Sequence, residues 1–190
     1  MAGHVCPWWL GYFLASPVRR IFEKPEELLS LYINSGMHIL EIGPGMGFFS
    51  LPMAEMTGPD GIIYCVDLQD KMLKSLEKRA VKKKLIDRIE CRKCSQNSLE
   101  INDLKEKIDF ILAYAVVHEI PDKTIFFSET YSSLKAGCKL LMADPKFHVS
   151  EEEFNKTVLK AEEAGFKAIE NPNIWRSRSV VFIKDKKAAI

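Results

Sequence analysis

Ile39-Leu-Glu-Ile-Gly-Pro-Gly-Met-Gly-Phe-Phe49 is an apolar run that ends in an acid and then breaks into three glycines at alternate positions. A short apolar run bounded by Gly and Pro reads as a buried parallel strand. The glycines beyond it allow a sharp turn and a close backbone approach to a ligand that a Cβ would prevent. The spacing is therefore expected to form a cofactor loop, with a purely structural tight turn as the alternative. A dinucleotide fingerprint would place its third glycine, or an alanine, where this chain has Phe48.

Outward from this stretch, strand-like and helix-like segments alternate, the pattern of an α/β domain with a parallel sheet. Strands are predicted at His38–Ile42, Ile62–Val66, Ile89–Lys93, Phe110–Ala115 and Lys139–Ala143, with helices filling the gaps. Gly58-Pro-Asp-Gly61 is a turn by its chemistry. Asp70 is a candidate helix cap, followed by Met72, Leu73, Leu76 and Ala80 at helical spacing. Ser150-Glu-Glu-Glu153 reads as a capping box, with Phe154, Val158 and Leu159 as the buried stripe and Gly165 as the stop. Phe166–Glu170 and Ser179–Lys184 then pair as a terminal antiparallel hairpin.

The 190 residues are 47% hydrophobic and 28% charged, with a formal net charge of +1, which suits one ordinary domain and gives no strong field for nucleic acid or an anionic membrane. The locally basic run Lys71–Lys84 reads as a solvated helix face. No apolar stretch approaches the ~20 residues of a membrane helix, and no basic region precedes the apolar residues at Val5–Ala15, so a cytoplasmic protein without a cleaved signal is expected. The five cysteines are odd in number and scattered, unlike a disulfide framework. Cys91-Arg-Lys-Cys94 lacks a second ligand pair, and no metal is expected.

The Glu41-x-Gly43-x-Gly45-x-Gly47 spacing and the Ala164-Gly-Phe166 lead into the terminal hairpin resemble the class I S-adenosylmethionine-dependent methyltransferases, in motif order over about residues 25 to 185. The motif order is similar to that of the broad methyltransferase type 11 group, which includes quinone and arsenite methyltransferases; the arsenite subgroup's multi-cysteine site is not evident. The resemblance implies a Rossmann-like, doubly wound, seven-stranded, mostly parallel sheet with a C-terminal antiparallel hairpin. It makes residues 1–190 a single domain, with residues 1–30 as an N-terminal helical cap. The implied function is transfer of a methyl group from S-adenosylmethionine to a small molecule by in-line displacement.

For the cofactor, the resemblance implies contacts from Glu41 to the methionyl amino group, from the Gly43, Gly45 and Gly47 loop to the methionyl part, and from Leu68 to adenine. Backbone donors are the alternative partner for Glu41. Asp67 ends the second predicted strand, where a carboxylate can accept from both ribose hydroxyls; a helix cap is its other use. Where relatives carry an acid, this chain has Ser95, leaving Cys94, Ser95 and Gln96 as candidates for the adenine contact. Ala115 is implied at the exit of the fourth strand.

Asp109–Asp122 resembles the family motif in which a His follows a short apolar stretch beside the transferable methyl, which makes His118 and Glu119 the catalytic candidates. A His near neutral pKa can accept a proton from the attacking atom, and a packed structural His is the alternative. Asp144 and His148 are candidates for a polar wall. The aromatic Trp8, Trp9, Tyr12 and Phe13 read as a lid over an acceptor pocket, a core-capping helix or a homodimer contact. The functional alternatives are an NAD(P)-dependent oxidoreductase and a noncatalytic cofactor-binding partner protein.

Overall fold

A computed structural model describes residues 23–185. Its strands form a seven-stranded sheet. Residue packing divides the chain into two compact units, which among the described residues are 23–94 and 95–185.

In the first unit, a short helix α1 (Pro25–Leu29) precedes β1 (His38–Ile42), α2 (Ser50–Thr57), β2 (Ile62–Asp67), α3 (Asp70–Lys83) and β3 (Ile89–Lys93). β1 runs parallel to β2, and β2 parallel to β3. Ile39, Leu40, Ile63, Cys65 and Val66 are wholly buried, as strands of a parallel sheet covered on both faces must be. α3 buries Met72, Leu73, Leu76 and Ala80 and turns its lysines to solvent, as the 3.6-residue period predicts. Asp70, however, is not the cap. It stands inside the first turn of α3 and pairs with Lys74 at 2.5 Å, while Gln69 occupies the cap position.

The second unit comprises β4 (Ile108–Tyr114), α4 (Lys123–Ser133), β5 (Leu134–Pro145), α5 (Glu151–Glu163), β6 (Phe166–Glu170) and β7 (Ser177–Lys184). β4 and β5 are parallel, whereas β7 lies antiparallel between β5 and β6. β7 is therefore an interior strand, with Val180, Val181 and Phe182 buried, and β6 is an edge strand exposed after Phe166. The Ser150–Glu153 capping box forms with both of its bonds, and Gly165 ends the helix at φ +105°. The buried stripe of α5 is Phe154, Thr157 and Ala161, and Leu159 instead faces outward at 57% exposure.

The gap between β3 and β4 holds no α-helix, only a single 3₁₀ turn at Asn102–Leu104. Ser95-Gln-Asn-Ser98 offers polar side chains that compete for the backbone, and no apolar period compensates. Among the described residues, no helix is long and apolar enough to cross a membrane.

Candidate functional site

Within residues 23–94, the β1–β2 ladder continues past the strand ends. The Gly43 N–H donates to the Val66 carbonyl at 2.9 Å, so the glycine turn leaves β1 beside the end of β2, where Asp67 stands. At Gly45 the backbone is left-handed (φ +55°), and no atom lies within 4 Å of where a Cβ would be. This is open space along bare backbone, and a ligand fits it. Gly47 is different: at φ +87°, an added Cβ would sit 2.3 Å from Leu76 Cδ1, so this glycine is required by the approach of α3. Arg79, also on α3, donates to the Met46 carbonyl at 2.6 Å and fixes the loop from below.

Glu41 is 3% exposed at the end of β1. The Ser50 hydroxyl, on the first residue of α2, donates to its Oε2 at 2.5 Å, and the Cys65 thiol lies 4.0 Å from the same oxygen. Burial pushes the Cys65 thiol well above its ordinary pKa, and the Glu41 charge pushes it further, so Cys65 serves Glu41 as a protonated donor. Glu41 thus has two side-chain partners, a hydroxyl and a thiol, that the expectation of a cofactor amine or backbone donors did not include.

Asp67 is half-buried, and its Oδ1 accepts the Gln69 N–H at 2.8 Å. This local turn orients the carboxylate at the strand exit. The Cys94 N–H donates to the Asp67 carbonyl at 3.1 Å, which ties the end of β3 to the same place. Leu68 follows, half-buried. Glu41, the Gly43–Gly47 turn, Asp67 and Leu68 thus lie at the carboxyl ends of adjacent parallel strands, where open α/β sheets bind ligands. A buried acid, a half-buried acid and an open backbone turn fit the amine, diol and methionyl parts of S-adenosylmethionine.

Within residues 95–185, Ser95 is exposed, and its hydroxyl donates to the Ser98 carbonyl at 3.3 Å, which leaves its oxygen able to accept. At the exit of β4, Ala115 holds a left-handed φ of +57° and its N–H donates to the Ala143 carbonyl at 2.7 Å. A non-glycine residue in this region is strained, and such strain clusters at functional positions. Val117–Glu119 then forms a 3₁₀ turn that presents His118.

His118 Nδ1 lies 2.7 Å from Oδ1 of Asp144, whose side chain is 2% exposed at the end of β5. A carboxylate accepts only, so this contact assigns the proton to Nδ1 and turns Nε2 outward as the acceptor. The Glu119 carboxylate is 3.9 Å from Nε2. The ring of His148 stacks on that of His118 at 5.5 Å and 15°. Sequence reading placed Asp144 and His148 only as a polar wall. The direct Asp144–His118 pair spans 26 residues and has no local signal.

Of the two thiols in the CxxC spacing, Cys91 is within 3.9 Å of the Leu73 carbonyl, and among the described residues no group of three or more His, Cys, Asp or Glu side chains is arranged to hold a metal. Trp8, Trp9, Tyr12 and Phe13, the proposed lid, lie outside the described residues.

A family model described as a methyltransferase domain matches residues 33–185. An arsenite methyltransferase of Halobacterium salinarum is 29% identical over 109 residues, 57% of this chain and 27% of that protein. A demethylmenaquinone methyltransferase of Lactiplantibacillus plantarum is 22% identical over 118 residues, 62% of this chain and 49% of that one. The chain thus spans half or less of the length of these curated relatives. The solved structure of an S-adenosylmethionine-dependent methyltransferase from Aquifex aeolicus superposes with a TM-score of 0.84 over 95% of this chain and 100% of that one, at 22% identity. A putative S-adenosylmethionine-dependent methyltransferase from Methanococcus maripaludis gives 0.77 over the whole of both chains at 17% identity. At these identities the superpositions show the fold. None of these matches supports the nicotinamide alternative.

Proposed function

The chain belongs to the methyltransferase-domain family, and on that premise we propose that it transfers the methyl group of S-adenosylmethionine to a small-molecule acceptor. When bound, S-adenosylmethionine supplies a methyl carbon on a cationic sulfur that is already a good leaving group. Glu41 holds the methionyl amine and the Gly43–Gly47 backbone receives the methionyl part, with Gly45 the point of closest approach. Asp67 accepts from the ribose hydroxyls, Leu68 packs on adenine, and Ser95, with Cys94 and Gln96 beside it in sequence, meets the adenine edge. Ala115 completes the cofactor contacts.

His118 takes the proton of the acceptor at Nε2, while Asp144, on Nδ1, keeps the ring in that tautomer and stabilises the imidazolium once it forms. Glu119 flanks Nε2 and orients the acceptor. Holding the reacting atoms in line supplies ~7–11 kcal/mol, so one base beside a positioned acceptor suffices.

The observation that supports this reading is the Gly43–Val66 hydrogen bond, which starts the glycine turn, open at Gly45, beside the end of the strand that Asp67 closes. Calorimetric titration tests it. S-adenosylmethionine binds the wild-type protein, and Asp67→Ala weakens that binding by ~1–3 kcal/mol, the scale of lost charge-assisted hydrogen bonds, without unfolding the protein. Tight NAD binding with no response to S-adenosylmethionine would overturn the proposal.

A further inference from the structure

Residues 95–185 carry a cleft of about 500 Å³ that begins at His118 and runs along α5. We propose that this cleft receives the methyl acceptor and that the acceptor is a carboxylate on an apolar frame, its acid group held by Lys123, Lys156 and Lys160. The inference rests on the methyltransferase reading above and names the acceptor class.

All three lysines line the cleft together with His118 and His148. Lys123 is the first residue of α4, at the positive end of that helix, where a cation is electrostatically disfavoured. Its Nζ donates to the Ile120 carbonyl at 3.3 Å, and its charge also acts on the Glu153 carboxylate across the cleft.

Lys156 and Lys160 are four residues apart on α5 and so project from one face, a turn apart. Each pairs with an acid on its own helix, Lys156 with Glu152 at 2.7 Å and Lys160 with Glu163 at 2.6 Å. These pairs are solvent-exposed and of the kind that contributes little, so Lys156 can be redirected to a ligand at small cost, and Lys160, with three N–H donors, can hold Glu163 and a ligand together. Glu153 and Glu163 also stand on the wall. Glu153 is occupied by the capping box, accepting from the Ser150 N–H at 2.9 Å, and Glu163 by Lys160.

The apolar side of the cleft comes from Val149 and from Leu159, the side chain that sequence periodicity assigned to the core and the fold turns outward. Phe147, 74% exposed, packs its ring 4.3 Å from that of His148, which lines the cleft. Cations, hydrocarbon and an imidazole on one lining match an acid on an apolar frame whose nucleophilic group reaches His118.

The probes are 3,4-dihydroxybenzoate and its methyl ester, alike in shape and differing in charge. Binding is read by NMR from the His118 and His148 ring protons of the full chain. The acid is expected to shift both resonances and to bind about tenfold more tightly than the ester, the scale of one charge-assisted contact. The double variant Lys156→Ala/Lys160→Ala is expected to lose that preference while binding the ester as the wild type does. Equal affinities for acid and ester, no shift with either probe, or an undiminished preference in the double variant would each overturn the proposal. Calorimetry with S-adenosylmethionine on the same sample separates this failure from failure of the methyltransferase reading, since the lysines take no part in cofactor binding.

Discussion

At the scale of single residues, two hydrogen-bonded pairs underlie the proposed chemistry: Ser50 on Glu41 and Asp144 on His118. Asp144→Asn preserves volume but offers Nδ1 an amide that can donate as well as accept, which frees the ring to place its proton on Nε2. The expected outcome is a tautomer change in His118, read from its imidazole nitrogen shifts above neutral pH, and a turnover reduced by ~10²-fold or more. An unchanged nitrogen spectrum would remove Asp144 from the positioning role. Sequence made Glu41 and His118 legible because each follows an apolar strand pattern. Their partners were not legible, since Ser50 lies 9 residues and Asp144 26 residues along the chain, and only the fold supplies those distances. Gly47 carries a packing constraint that its spacing did not signal, since a Cβ there would meet Leu76.

At the scale of elements, β2 and β3 set Cys65 directly opposite Cys91 in parallel register. Burial, with the negative charges of Glu77, Glu41 and Asp67 added, raises the Cys91 thiol to about 12. A folded-state pKa above the ordinary thiol value means that folding disfavours the thiolate. The contribution is therefore whole below pH 9 and lost progressively as pH rises from 9 through 12. The midpoint of chemical denaturation should fall across that interval, and Cys91→Ala should fall less steeply over the same range. Parallel slopes for the two proteins would refute the assignment. Which helices form was legible where caps and periods agree, as in Ser150–Glu163. It failed between β3 and β4, where spacing invited a helix and the polar residues from Ser95 to Ser98 declined one. It failed again at Asp70, because Asp67 had already taken the Gln69 amide and the helix began beyond it.

At the scale of the whole molecule, lysines and arginines number 27 against 26 aspartates and glutamates, so recognition rests on local arrangement rather than a global field. Binding of S-adenosylmethionine stabilises the folded chain by mass action. At a hundredfold excess over its dissociation constant the gain is ~2.7 kcal/mol, which for a chain of this size raises the thermal midpoint by about 5–10 °C. Scanning fluorimetry should show that rise with S-adenosylmethionine and none with NAD; the opposite pattern would refute the cofactor assignment. The parallel strands and the terminal hairpin were legible at this scale, because apolar runs of strand length recur along the chain and the last two lack a helix between them; the order of the strands in the sheet was not.

The position of β7 between β5 and β6 also governs how the chain can be made. During synthesis β6 emerges from the ribosome before β7, its neighbour in the sheet, and has no strand to pair with until β7 follows. β5 likewise waits with one edge bare until Ser177–Lys184 has cleared the exit tunnel. Until residues 171–184 have emerged, the nascent protein thus carries a bare β5 edge and an unpaired β6, and in that interval a chaperone or a neighbouring nascent chain has most to bind. A premature stop anywhere in that interval yields a product whose β5 edge is never fully covered, and quality control would meet it as an aggregation-prone strand.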